Sequence, residues 1–225
     1  VCGGCRQPEA KIPDPADPGS GRDPAVVGKN LQAVPGYDLR RETWSETGKD
    51  LNPDVSPDGK LLAFASSSHG RFYNIFYKEV GREVVVQKTT TEADDLAPRF
   101  SPDSQSIAFT SFRRGNWDIF LQGMADGDQE KLLAGDEADE IHPTWSPEGT
   151  FLAYSRFNEA ADFWELWTVE VKTGTRRCLL PGIPALFPDW SPDGRSIVFQ
   201  RPRERESNFY ELWTVGRDGS RLSRI

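Results

Sequence analysis

The chain is poor in the residues that carry most enzyme chemistry. Of its 225 residues, three are Cys, two are His and one is Met. No G-x-S-x-G or S-x-x-K stretch offers a nucleophile, and two histidines far apart in sequence are a thin basis for a metal centre. No apolar run approaches the ~20 residues of a membrane-spanning helix. Positive charge is in the minority: 27 Lys and Arg against 35 Asp and Glu give a net charge of −8. The arginines are spread among carboxylates, which argues against a nucleic-acid partner, because a phosphate backbone is bound by clustered Lys and Arg. A 3.6-residue apolar period over ten or more residues is also missing, so the chain does not read as helical.

What the chain has is a repeat. "VSPDG" (55–59), "FSPDS" (100–104), "WSPEG" (145–149) and "WSPDG" (190–194) place Ser56, Ser101, Ser146 and Ser191 at intervals of 45 residues. A Pro stands three residues ahead of each Ser (Pro53, Pro98, Pro143, Pro188), where it suits the start of a strand that needs no ladder N–H. Ser-Pro-Asp-Gly then predicts a turn. Pro presets φ, Asp accepts backbone hydrogen bonds, and Gly supplies the positive-φ corner. Short apolar strands follow at 60–66, 106–111, 151–156 and 196–201, with Phe64, Phe109, Tyr154 and Phe199 in one core phase. Third strands are expected at 73–79, 117–123, 164–170 and 210–216. Fourth strands are expected at 83–90, 129–135, 175–182 and 220–225.

Four short strands per 45 residues predict an all-β β-propeller of four-stranded antiparallel blades, at about 50–91, 92–136, 137–182 and 183–225. The combination "P-x-W-S-P-D-G", "I-A-F", then a polar residue before "I-F" or "L-W" resembles the PD40 (WD40-like) repeat of the TolB-like family over 50–225. The resemblance implies a ring of about six blades, so four blades are expected to form an open arc. It also implies a periplasmic, non-catalytic interaction module of the bacterial cell envelope with a protein partner and no cofactor. The same repeat occurs in propellers attached to prolyl-oligopeptidase-type serine peptidases, which is the alternative reading, and a cell-wall-glycan-binding propeller is a third. TolB carries an α/β domain ahead of its propeller, and the N-terminal segment here is too short and irregular for one.

Residues 1–36 read as a disordered tether, rich in Pro, Asp, Gly and Ala, with too little apolar surface to offset ordering entropy. At its head, "VCGGCR" resembles the end of a lipoprotein signal, with Cys5 as the lipidated residue. That predicts an exported, periplasmic or membrane-tethered protein whose only membrane contact is a lipid anchor. A C-x-x-C haem site requires a following His, and Arg6 stands there. Zinc would have to recruit Cys178, His69 or His142 from inside the repeats. "YDLRRETWSE" (37–46) resembles a blade's fourth strand, so residues 37–225 are assigned to the propeller. Because the fourth repeat has its own last strand, further blades are expected after Ile225. The open ends of the arc are expected to show Phe64 on one side and Phe199 or Trp213 on the other.

Candidate site residues come from the repeat phase. Asp50, Asp95 and Glu140 are 45 apart, and Ala185 ends the series. Two readings compete: an acidic mouth of the central channel able to hold a cation or a basic peptide segment, and turn residues that cap the loop into each inner strand. His142 lies in "EIHPTW", next to the ring axis, and reads as a channel-facing or structural His. His69, in "SSSHGRF", reads as solvated. The loop "RFNEAADFWELW" (156–167) is a candidate contact surface, although its Trp164 and Trp167 equally suit packing between blades.

Overall fold

The computed structural model describes residues 42–43, 47–204 and 209–225. Their sixteen strands form four antiparallel sheets, each running in chain order. Blade 1 is β1 (Asp50–Val55), β2 (Leu61–Ser66), β3 (Asn74–Glu79) and β4 (Val85–Gln87). Blade 2 is β5 (Asp95–Phe100), β6 (Ser106–Ser111), β7 (Asp118–Gly123) and β8 (Lys131–Ala134). Blade 3 is β9 (Glu140–Trp145), β10 (Phe151–Asn158), β11 (Phe163–Glu170) and β12 (Arg176–Cys178). Blade 4 is β13 (Leu186–Trp190), β14 (Ser196–Pro202), β15 (Tyr210–Gly216) and β16 (Ser223–Arg224). Among the described residues there is no helix. First strands pack from blade to blade, β1 on β5, β5 on β9 and β9 on β13, so they are the inner strands. The ring is not closed, as four blades of this repeat were expected to leave it. The tether 1–36, Cys5 and, apart from Glu42 and Thr43, the strand expected at 37–46 lie outside the described residues.

The Ser-Pro-Asp-Gly segments turn as expected, and the Ser explains itself. Its hydroxyl donates to the Asp two residues on and accepts the N–H five residues on. Ser56 Oγ lies 2.7 Å from Asp58 and 2.8 Å from Leu61 N, and Ser101 and Ser191 repeat the pattern. The same carboxylates accept the N–H of Lys60, Gln105 and Arg195. Gly59, Gly149 and Gly194 take φ near +70°, and Ser104 adopts +59° in the glycine's place.

Blades pack small face on large face. Ala63, Ala65 and Ile75 of blade 1 meet Phe100, Ile107 and Phe109 of blade 2. Ala108 and Ile119 then meet Leu152 and Tyr154, and Ala153 and Leu166 meet Trp190, Ile197 and Phe199. The aromatic phase at Phe64, Phe109, Tyr154 and Phe199 is buried in every blade. This corrects the expected open ends. Phe199 faces blade 3, and the surface on blade 4 is Tyr210 and Leu212, both exposed. At the other end Pro53 and Val55 are exposed, whereas Pro98 and Phe100 are buried. Phe64 and Phe76 are buried beside Lys78, whose ammonium meets the Glu42 carbonyl at 2.5 Å and its carboxylate at 3.0 Å.

Two further expectations are corrected. Fourth strands are only two to four residues long, against the six to eight expected, because an outer strand with one neighbour and little covering face is held by few ladder bonds. The prolines do not begin their strands. Each sits inside an inner strand, at a break in register with the second strand. A bulge is the other place in a strand where no ladder N–H is required.

Candidate functional site

The bulges define the inner surface. The residue before each Pro is Asn52, Ala97, His142 or Phe187, 45 apart, with φ of 49°, 51°, 55° and 51°. None is glycine, and a left-handed non-glycine residue costs on the order of 1 kcal/mol or more. Bulges re-aim side chains and concentrate near functional surfaces. All four residues are half-buried. The His142 and Phe187 rings stack across the interface of blades 3 and 4, with centroids 4.1 Å apart. His142 Nδ1 is buried with no partner. Burial, and then the charge of Arg99, bring the imidazole down to about 4, so it is neutral at pH 7. Sequence reading found His142 but not its equivalence to Asn52, Ala97 and Phe187. Four unlike side chains hide the phase, and only their distance from the Pro shows it.

One position after each Pro is a second inner tier that couples blades. Asp54 accepts from Arg99 Nη1 (3.2 Å) and from Phe100 N (2.8 Å), and Thr144 donates to Asp189 (2.8 Å). Asp54, Arg99, Thr144 and Asp189 are also 45 apart.

The acidic series lies at the opposite end of the inner strands. Asp50 is half-buried. Asp95 is fully buried, with Arg113 at 3.1 Å and the Thr91 hydroxyl at 3.0 Å. Glu140 is fully buried near Arg156 and Arg176, at 3.4 and 3.5 Å. The backbone N–H groups of Asp95, Glu140 and Ala185 donate to Tyr73, Trp117 and Trp164 of the preceding blade. The neighbouring carboxylates Asp94 and Asp139 accept the N–H of Tyr73 and Trp117 in return.

Glu140 belongs to a polar group with buried Asp118 and Tyr154 and half-buried Asp136. Both arginines bind Asp136 more closely, at 3.0–3.2 Å. The Ala138 N–H and these two arginines hold Asp136 below the usual range against the opposing effect of burial. Burial first, and then the charges of Asp136 and Asp118, push Glu140 up to about 8. Glu140 is therefore largely protonated at pH 7. Burial also raises Asp118 and Tyr154. Glu140 Oε2, Asp118 Oδ2 and the Tyr154 hydroxyl have no hydrogen-bond partner.

The remaining candidates have plain roles. His69 is exposed, accepts or donates to Ser68 Oγ at 2.9 Å and stacks on Phe76 at 5.1 Å. In the other blades an arginine takes that ring-covering position: Arg113 over Phe120, Arg156 over Trp167 and Arg201 over Trp213. The 156–167 segment is the β10–β11 hairpin, where Phe157 and Trp164 meet edge to face at 5.2 Å. Burial, then Glu165, push the Cys178 thiol up to about 11.

The chain resembles solved propellers. It superposes on a TolB structure from Agrobacterium tumefaciens with a TM-score of 0.67 and 23% identity, over 81% of this chain and 63% of that one. An oligogalacturonate lyase from Vibrio parahaemolyticus gives 0.65 and 17%, over 80% and 54%. A puromycin-hydrolyzing peptidase from Mycobacterium tuberculosis gives 0.62 and 17%, over 79% and 29%. At these identities the likeness is one of fold, and the chain spans less than two thirds of each of these proteins. No curated protein matches it at a significant level. The family model of the TolB β-propeller domain matches residues 22–225, and the chain belongs to that PD40 family.

Proposed function

We propose that these blades are a non-catalytic binding scaffold of an exported bacterial envelope protein, and that they engage a protein partner at the inner-strand surface. The observation that carries this reading is the set of four strained, half-buried residues, Asn52, Ala97, His142 and Phe187, held in one phase along the inner strands. A packing role would favour one repeated side chain. Four unlike side chains at one costly backbone position suit the reading of one particular partner. His142 adds an unpaired Nδ1 beside the Phe187 ring. Among the described residues no Ser or Cys side chain is bonded to this imidazole, as a nucleophile would be. At the other end of the inner strands only Asp50 is accessible, while the buried Asp95–Arg113 pair and the buried, protonated Glu140 hold the shape of the loop into each strand.

Membership in the TolB propeller family and the TolB structures among its likenesses support the envelope setting. Cys5 is proposed as a lipid anchor and residues 1–36 as the tether. The test is a photo-crosslinking residue placed at Ala97 and, as control, at exposed Val84, in the protein expressed in its own envelope. A discrete protein adduct at position 97 and none at 84 supports the reading. Adducts to wall glycan alone, or hydrolysis of peptide or ester substrates by the full-length protein that is lost in His142→Ala, overturn it.

A further inference from the structure

The Ser-Pro-Asp-Gly turns carry a second feature, away from the bulges. Each turn presents one carboxylate: Asp58, Asp103, Glu148 or Asp193. Three of them have a cation. Asp58 pairs with Lys60 at 3.1 Å, Glu148 with Arg217 at 3.1 Å and Asp193 with Arg195 at 3.9 Å. Asp103 has no ion pair among the described residues, and Gln105 stands where Lys60 and Arg195 do.

The groove between blades 3 and 4 shows how a cation is held there. Arg217 leaves β15 and places its guanidinium against Glu148 and over the Phe151 ring, 5.6 Å from the centroid. The residue equivalent to Arg217 one blade earlier is Val171. Val171 N bonds Thr150 O and Arg217 N bonds Arg195 O, both at 3.0 Å, and Thr150 and Arg195 are 45 apart. So in the groove between blades 2 and 3 the carboxylate remains and the internal arginine is replaced by valine.

That groove has a volume of about 400 Å³ and is lined by Asp103, Ser106, Leu121, Trp145, Glu148 and Val171, among others. Leu121, Trp145 and Val171 form its apolar side, packed on the core. Its donors are mostly spent. Trp145 Nε1 donates to Arg99 O, Ser101 Oγ to Asp103, and at the rim Lys131 Nζ to Val171 O, which leaves the Ser106 hydroxyl. What the groove offers is the carboxylate of Asp103, which has no ion pair among the described residues, and the Trp145 ring, beside a Glu148 already paired with Arg217. A carboxylate and an aromatic surface with one free hydroxyl suit a planar cation, and are a poor match for a sugar, which needs several donors as well as acceptors.

We propose that the groove between blades 2 and 3 binds the guanidinium of an arginine side chain presented by a peptide, in the manner that Arg217 fills the next groove from within. The site shares Trp145 with the end of inner strand β9 but does not depend on the reading of the bulge residues.

The test uses the 225-residue chain and the peptide acetyl-Gly-Arg-Gly-amide, with the citrulline analogue as an uncharged isostere, at low salt. Isothermal titration gives the affinity, and the methyl resonances of Leu121 and Val171 give the location. The expected result is that arginine binds on the order of tenfold or more tighter than citrulline, with shifts at Leu121 and Val171. Val171→Arg supplies an internal guanidinium and is expected to weaken binding by a similar factor. Asp103→Asn keeps the turn acceptor, removes the charge and weakens binding likewise, so the proposal stays testable if Val171→Arg misfolds. Equal affinity for arginine and citrulline, unchanged binding in Asp103→Asn, or tighter binding of chitotriose overturns the proposal. Agmatine binding as tightly as the peptide overturns the peptide as the source of the guanidinium.

Discussion

Leu166 and Leu212 hold the same position of the third strand in successive blades, yet Leu166 is fully buried and Leu212 is 52% exposed. The difference is the neighbour. Blade 4 covers Leu166 with Trp190, Ile197 and Phe199, and among the described residues no blade covers Leu212. Leu166→Ala is expected to destabilise the chain by ~2–5 kcal/mol, the usual range for a buried Leu. Leu212→Ala should change it by less than ~1 kcal/mol. Urea unfolding followed by Trp fluorescence measures both. Equal losses would show that the face of blade 4 is covered in solution.

Ser104 stands where three of the four turns have glycine, and adopts φ of +59°. A left-handed serine is strained by about 1 kcal/mol, and glycine in its place loses part of that gain to the greater freedom of the unfolded chain. Ser104→Gly should therefore stabilise the chain by roughly 0.5 kcal/mol, seen as a small rise in Tm. A drop in Tm would mean that the serine side chain makes a compensating contact.

Glu140 sets a pH dependence of defined sign. Its carboxyl titrates at about 8 in the folded chain against an ordinary value of 4.5. Between those values the folded state keeps a proton that the unfolded state has released. Stability is therefore complete below about 4.5, declines as pH rises and levels off above about 8. A tenfold change in proton affinity corresponds to ~1.4 kcal/mol, so the decline across this window is a few kcal/mol at most. Glu140→Gln keeps the shape and the neutral state, and should flatten the profile between pH 6.5 and 8. A decline that persists in the variant would assign it to another group.

The fold was legible in the sequence because the repeat writes its turn chemistry four times in one phase. Ser56, Ser101, Ser146 and Ser191 set the register, and the buried aromatics follow from it. What stayed hidden depends on contacts between blades. The prolines mark bulges and not strand starts, because the preceding residue turns left-handed. That backbone state leaves no sequence signal when Asn, Ala, His and Phe occupy it. The carboxylate series was visible as spacing, but the burial of Asp95 and Glu140 depends on Arg113, Arg156 and Arg176. Those arginines follow no common phase with the carboxylates. The groove beside Asp103 is defined by a substitution, Val171 against Arg217, whose meaning appears only when two blade interfaces are compared.

His142 gives the converse acid dependence. Burial and then Arg99 hold its imidazole at about 4 against an ordinary 6.5, so the folded ring is neutral while the unfolded chain takes up a proton below about 6.5. Stability from this group is complete above about 6.5 and is lost as pH falls toward 4. Over the lower part of the Glu140 window the two groups oppose each other, and above about 6.5 only Glu140 acts. His142→Asn suits the left-handed backbone but loses the stacking on Phe187, for a uniform loss of about 0.5–1.5 kcal/mol. It also removes the titration and leaves Glu140 unopposed, so from pH 6.5 down to 4.5 the variant should gain stability while the parent stays nearly flat. The direct measurement is the proton NMR titration of the imidazole. A midpoint near 4 places the ring in the stacked, desolvated position against Phe187. A midpoint near 6.5 would show that it stands in water, and the proposed inner-strand binding surface would lose the desolvated ring it rests on.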